Sequence, residues 1–113
     1  MTPEGRVKAQ VKTALRDLKG YWFCPVQNGM GAPGLDFMQV QVPGCPAFAI
    51  ETKAPGKHLT VRQQRTVATI RAAGGTVFVI DGNLEEMLDW IAKNRLLSTP
   101  HVLHPNPIAE TKS

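Results

Sequence analysis

The chain has 113 residues, 42% hydrophobic and 19% charged, which suits one domain with one modest core and excludes a disordered chain. No apolar run approaches the roughly 20 residues of a membrane helix, and the polar start MTPEGRVKAQVK offers no export segment, so the expected compartment is the cytoplasm. Thirteen bases against nine acids leave a net charge of +4, and residues 52–80 hold five bases (Lys53, Lys57, Arg62, Arg65, Arg71) and no acid, a pattern that suits either a polyanion or a solvated helix face.

In chain order, a helix is predicted over residues 3–19. Thr2 can cap it, Pro3 suits its first position, and Gly20 supplies the stop. Val7, Val11, Ala14, Leu15 and Leu18 form its apolar stripe. Glu4 extends that stripe by one turn, either as a helix-start carboxylate favoured by the dipole or as part of a site. Residues 21–26 read as a short strand. The glycine-rich stretch 28–34 reads as an irregular loop without the lysine of a phosphate-binding loop. Strands are predicted over 36–42 and 47–53, joined by Pro43-Gly44-Cys45-Pro46. A helix over 61–73 follows, capped by Thr60 and stopped by Gly74-Gly75. Residues 76–80 read as a strand buried on both faces. A last helix over 84–96 starts at Asn83, with Leu84, Met87, Leu88 and Ile91 on its apolar side. Residues 98–113 read as an extended or mobile tail beyond a domain spanning 1–97. The expected fold class is α/β, a small mixed sheet flanked by helices in the order α-β-β-β-α-β-α, with the helix before the fourth strand allowing a parallel crossover.

Cys24 and Cys45 are far apart and form no metal-ligand pair, so both are expected to be reduced and structural. The residues that carry chemistry are Asp36, Glu51 and Lys53. If residues 43–46 form a four-residue loop, Val42 faces Ala47, Asp36 lies opposite Lys53, and Glu51 is one diagonal step away on the same face. A one-residue slip would break this arrangement. Two adjacent carboxylates favour a hard cation such as Mg²⁺ or Mn²⁺, which can polarise a phosphoryl oxygen. A neighbouring ammonium can orient a water or stabilise charge on phosphorus. Two acids and a lysine at a strand end thus form a minimal set for phosphodiester hydrolysis. The bland reading is a surface ion pair.

Gly34-Leu35-Asp36, Ile50-Glu51-Thr52-Lys53-Ala54-Pro55-Gly56-Lys57, Thr60-Val61-Arg62-Gln63 and residues 71–80 (RAAGGTVFVI) together resemble the VRR-NUC family of the PD-(D/E)XK nuclease superfamily, common among small phage-encoded proteins. The resemblance covers about residues 3–82. It implies a restriction-endonuclease-like core and a Mg²⁺- or Mn²⁺-dependent endodeoxyribonuclease. By that resemblance Asp36 and Glu51 are metal ligands, the Thr52 carbonyl supplies a third oxygen, and Lys53 is the catalytic lysine. Gln63 supports the metal site or its water, and Glu4 completes the acidic cluster. The family often has proline where this chain has Leu35. Gln63 has a second reading, because Thr60-x-x-Gln63 is also a capping box. Lys57, Arg62 and Arg65 are candidate DNA contacts, with Arg71 further along the same helix. His58 reads as solvent-facing, and His101 and His104 as a weak metal pair between prolines. Trp22 and Trp90 read as core or interface anchors.

The expected substrate is branched DNA, a four-way (Holliday) junction cut by a homodimer. Small members of the family resemble junction resolvases, and two symmetric incisions suit two symmetric sites. The alternatives are a nuclease for flapped, nicked or single-stranded DNA, and a basic nucleic-acid-binding protein without catalysis.

Overall fold

A computed structural model of the chain describes residues 1–26 and 34–98. Most of the glycine-rich loop and the tail with His101 and His104 lie outside the described residues. The elements are α1 (Pro3–Asp17), β1 (Tyr21–Phe23), β2 (Phe37–Gln41), β3 (Phe48–Thr52), α2 (Val61–Ala72), β4 (Val77–Ile80) and α3 (Glu85–Ser98). This is the expected α/β order. The four strands form one mixed sheet in the order β1-β2-β3-β4. β1, β2 and β3 run antiparallel, while β3 and β4 run parallel through the α2 crossover. No helix among the described residues is long and apolar enough to cross a membrane.

Helices cover both faces of the sheet. On one face Val7, Val11 and Leu15 of α1 and Met87 and Ile91 of α3 pack on Phe37, Val40, Phe48, Ile50, Phe78 and Ile80. Trp90 meets Phe48 and Phe78 edge-on, with ring centroids 5.1 and 5.5 Å away, so it is a core anchor. Trp22 is only partly buried and carries the Arg16 guanidinium 5.6 Å from its ring. On the other face Val67 of α2 packs on Leu35, Ala49 and Val77. β3 is central, and all five of its residues are buried. β4 is an edge rather than a strand buried on both faces. Its Val79 is 36% exposed, beside a hollow lined by Asp81, Asn83, Glu85, Glu86 and Asp89.

The helix ends follow local chemistry. Thr2 Oγ1 accepts the Gly5 N–H at 3.0 Å. At the far end of α1, Gly20 N–H donates to Leu15 O and Lys19 N–H to Arg16 O, a Schellman closure. The left-handed residue is Lys19 (φ 62), so Gly20 is not there for its φ. A Cβ at Gly20 would lie 3.1 Å from Leu15 O and 3.2 Å from Gln41 O, so glycine relieves a tight approach between the end of α1 and β2. Asn83 Oδ1 accepts the Glu85 N–H at 2.8 Å, starting α3 one residue later than expected. That helix runs two residues further, to Ser98, whose hydroxyl donates to Gly44 O. Ser98 therefore belongs to the folded unit and not to the tail. Leu88, expected on the apolar side of α3, is 40% exposed.

The hairpin register differs from the expected one. Cys45 N–H closes a turn on Val42 O, with Gly44 at φ 87, as a type II turn after Pro43 requires. Pro46 has no N–H to offer, and pairing resumes only at Val40↔Phe48. Between there and Phe37↔Ile50, three steps along β2 match two along β3, so β2 carries a bulge. β1 sees the same irregularity, with Tyr21↔Gln41 and Phe23↔Met38. Gln39, exposed and at φ 50, occupies the bulge. Asp36 consequently arrives beside Glu51 and not opposite Lys53.

Because Gln39 sits in left-handed space that β-branched residues resist, Gln39→Val is expected to destabilise the protein by about 1–2 kcal/mol, while Gln39→Gly is neutral or stabilising. Urea denaturation of the two variants compares them directly. Equal midpoints would remove residue 39 from that conformation.

Candidate active site

The open end of the β2–β3 hairpin is held by reciprocal bonds between side chains and backbone. Asp36 N–H donates to Glu51 Oε1 at 3.1 Å. In return Asp36 Oδ2 accepts the Thr52 N–H at 3.0 Å and the Thr52 hydroxyl at 2.6 Å. Each acid is thus pinned by the other strand where the regular ladder runs out. Glu51 is 4% exposed and Thr52 wholly buried. Among the described residues, Glu51 Oε2 has no hydrogen-bond donor, and Asp36 Oδ1 has only the Lys8 ammonium at 3.6 Å. These are the two carboxylate oxygens left open.

Burial pushes the Glu51 carboxyl up from its ordinary 4.5 to about 7. The Asp36 carboxylate beside it pushes in the same direction. The Asp36 N–H bond and then the Lys53 ammonium oppose the rise, and the charge of Glu4 adds to it. A buried carboxyl that holds its proton near neutrality lacks a cationic partner strong enough to offset its desolvation.

Lys53 and Glu51 share a strand face two residues apart. The Lys53 ammonium donates to Gln63 Oε1 at 3.2 Å. The same oxygen accepts the Thr60 N–H at 2.9 Å, while Gln63 N–H donates to Thr60 Oγ1 at 3.1 Å. The two readings of Gln63 therefore hold together: it closes the capping box of α2 and it holds the lysine. Both donors to the amide oxygen are N–H groups, which fixes the oxygen toward them and leaves Gln63 Nε2 without a partner among the described residues.

A cavity of about 270 Å³ opens here, lined by Gly34, Asp36, Glu51, Thr60, Arg62, Gln63 and Thr66. A larger hollow of about 460 Å³ runs along α1, but its lining holds one acid, Asp17, and no converging carboxylates. Chemistry therefore favours the smaller one. Arg62 stands at its wall, and Arg65 and Lys57 are exposed. His58 is exposed, as expected. Arg71 is also exposed, but its guanidinium donates to Val77 O at 2.8 Å and braces α2 on β4.

Glu4 reaches the site through an intermediary. The Lys8 ammonium stands 3.6 Å from Glu4 Oε2 and 3.6 Å from Asp36 Oδ1. Nothing in the sequence motifs singles out Lys8. Its spacing of four from Glu4 was the available signal. Among the described residues no group of three or more His, Cys, Asp and Glu side chains is arranged to hold a metal ion. Two carboxylates are nevertheless a donor set that Mg²⁺ accepts, since it keeps several waters and takes further oxygens from a phosphate. The open oxygens of Asp36 and Glu51 fit that demand.

No protein-family model matches the chain, and no curated protein and no solved structure matches it. The resemblance to the VRR-NUC nucleases accordingly rests on the short motifs alone.

The folded state holds the Glu51 proton more tightly than the unfolded chain does, so stability falls as pH rises from about 4.5 through about 7. The full shift corresponds to about 3 kcal/mol. In metal-free buffer Glu51→Gln is expected to melt several degrees above the parent protein at pH 8 and close to it at pH 4.5. Parallel melting curves across that range would show that Glu51 titrates normally.

Proposed function

We propose that this protein is a metal-dependent endonuclease that hydrolyses DNA phosphodiester bonds, acting on branched DNA such as a four-way junction. The observation that carries the reading is the convergence of Asp36, Glu51 and Gln63 on one cavity, with Lys53 bonded to Gln63. Sequence spacing, hydrogen bonding and charge all meet at that point.

In this reading Asp36, Glu51 and the Thr52 carbonyl would hold Mg²⁺ or Mn²⁺. When bound, the ion supplies Lewis acidity at a phosphoryl oxygen and lowers the pKa of a water. The protein's own groups do the rest. Thr52 fixes the orientation of Asp36 through two bonds to one oxygen, so its other oxygen is presented without rotation. Lys53 offers its ammonium to the attacking water or to charge developing on phosphorus. Gln63 keeps that ammonium near Glu51, and its Nε2, without a partner among the described residues, is a donor for water or phosphate. Arg62, Arg65 and Lys57 take the DNA backbone, which makes binding salt-dependent. A homodimer suits the paired incisions of a junction. If the chain is phage-encoded, its DNA substrate lies in the cytoplasm of a bacterial host.

A cleavage assay on a synthetic junction, with duplex, flap and single-strand controls and Mg²⁺, Mn²⁺ or EDTA, tests the reading. Paired, metal-dependent cuts in the junction are expected. Lys53→Ala should fold and bind DNA yet cleave about 100- to 1,000-fold more slowly, and cleavage at the parental rate would remove Lys53 from the chemistry. Millimolar Ca²⁺ or Mg²⁺ should raise the melting temperature. That rise should vanish in Glu51→Gln, and an undiminished rise would locate the metal elsewhere. Salt-sensitive DNA binding with neither cleavage nor a metal shift would leave a non-catalytic binder.

A further inference from the structure

Among the described residues, Lys8 is the base that pairs with Asp36 at the acidic side of the cavity, and it belongs to no motif. It lies on α1, where Val7 and Val11 are pressed into the core at 2% and 0% exposure. That burial fixes the rotation of the helix about its axis and so aims the next residue, Lys8, at the hairpin end. Glu4 precedes it by one turn, the favourable order for such a pair. The ammonium therefore stands between two carboxylates on different elements. It is close to Oδ1 of Asp36, the oxygen that Thr52 leaves open.

The contact is electrostatic rather than tightly bonded. Both distances are 3.6 Å, well beyond the roughly 2.7–2.9 Å of a charge-assisted hydrogen bond, and the Lys8 side chain is 39% exposed. A side chain held this loosely can swing into water at small cost. It supplies positive charge to an acidic cluster where Glu51, Asp36 and Glu4 otherwise act on one another.

We propose that Lys8 is the resident counter-ion of Asp36 and Glu4, and that it competes with a divalent cation for Asp36 Oδ1. It thereby sets the metal concentration at which the site fills. The proposal rests on the metal-dependent reading above. Without a divalent ion, the ammonium offsets repulsion between the acids. With one, the ammonium and the doubly charged ion repel each other across the same oxygen, and the weaker, solvent-accessible partner yields. Lys8 is thus a positioning residue for the acids and a brake on metal affinity.

The test is a calorimetric titration of the full chain with Ca²⁺ at about 0.15 M ionic strength, where charges more than about 8 Å away are screened, alongside melting curves with and without the ion. The variants are Lys8→Met, Lys8→Arg and Lys12→Met. Lys12 lies one turn further along α1 and has no partner among the described residues, so its substitution removes the same charge without the contact. Lys8→Met is expected to bind Ca²⁺ about three- to tenfold more tightly, from the loss of one partly screened charge beside the ion. Its metal-free melting temperature should fall and its Ca²⁺-induced rise should grow. Lys8→Arg should behave like the parent protein, and Lys12→Met should change affinity by less than about twofold. Unchanged or weaker binding in Lys8→Met, with the parent binding Ca²⁺, overturns the role of Lys8 and leaves the metal site standing. Equal tightening in Lys12→Met also overturns it, because net charge alone would then be the cause. No Ca²⁺ binding by either the parent or Lys8→Met removes the metal site and this proposal with it.

Discussion

Two carboxylates of like charge sit side by side at the end of a buried strand, and each is held in place by the backbone of the other strand. Asp36 N–H binds Glu51, and Thr52 N–H and hydroxyl bind Asp36. A strand end normally leaves polar backbone groups unpaired, which is costly when buried. Here acid side chains satisfy them. The hairpin thereby closes its ladder with functional groups, and neither acid can turn away without orphaning a buried donor. The consequence is a pre-arranged pair of open oxygens and a Glu51 carboxyl raised to about 7.

The other parts of the site are attached to this pair by ordinary folding devices. α2 begins with a capping box, and its glutamine, by accepting from Lys53 as well, ties the start of the helix to the strand face that carries Glu51. α1 is fixed by Val7, Val11 and Leu15, and its rotation delivers Lys8 to Asp36. α3 lies on the core side and stabilises from a distance. Its Arg95 donates to Pro43 O and Leu18 O, joining the hairpin turn to the end of α1. Positioning of the acids thus draws on all three helices, although only α1 and α2 reach the cavity end.

Much of this was legible in the residues. Periodicity, caps and glycines placed all seven elements to within a few residues, because each signal is local: Thr2 and Thr60 as caps, Gly74 with its φ of 92, and a Pro-Gly turn between the two β-prone runs of β2 and β3. The grouping of Asp36, Glu51 and Lys53 was expected from strand alternation, and Gln63 was added by the family resemblance. The register that brings Asp36 to Glu51 was not. It depends on Gln39 adopting a left-handed conformation, which its residue type does not advertise, and on Pro46 delaying the pairing. The exposure of Val79 followed from β4 being an edge, a fact of strand order that its apolar run does not encode.

The sequence by itself therefore determined which elements form and which side chains are chemically equipped, since propensity, capping and charge act within a few residues. Tertiary structure alone decided which of those side chains meet. Glu51 becomes a strongly perturbed acid only once β3 is buried between helices, the Arg71 guanidinium finds Val77 O only once α2 lies on β4, and Lys8 meets Asp36 only when α1 docks against the hairpin. The physical reason is the same in each case. Desolvation and Coulomb interactions depend on distance through space, and distance between residues 8, 36 and 51 exists only in the packed chain.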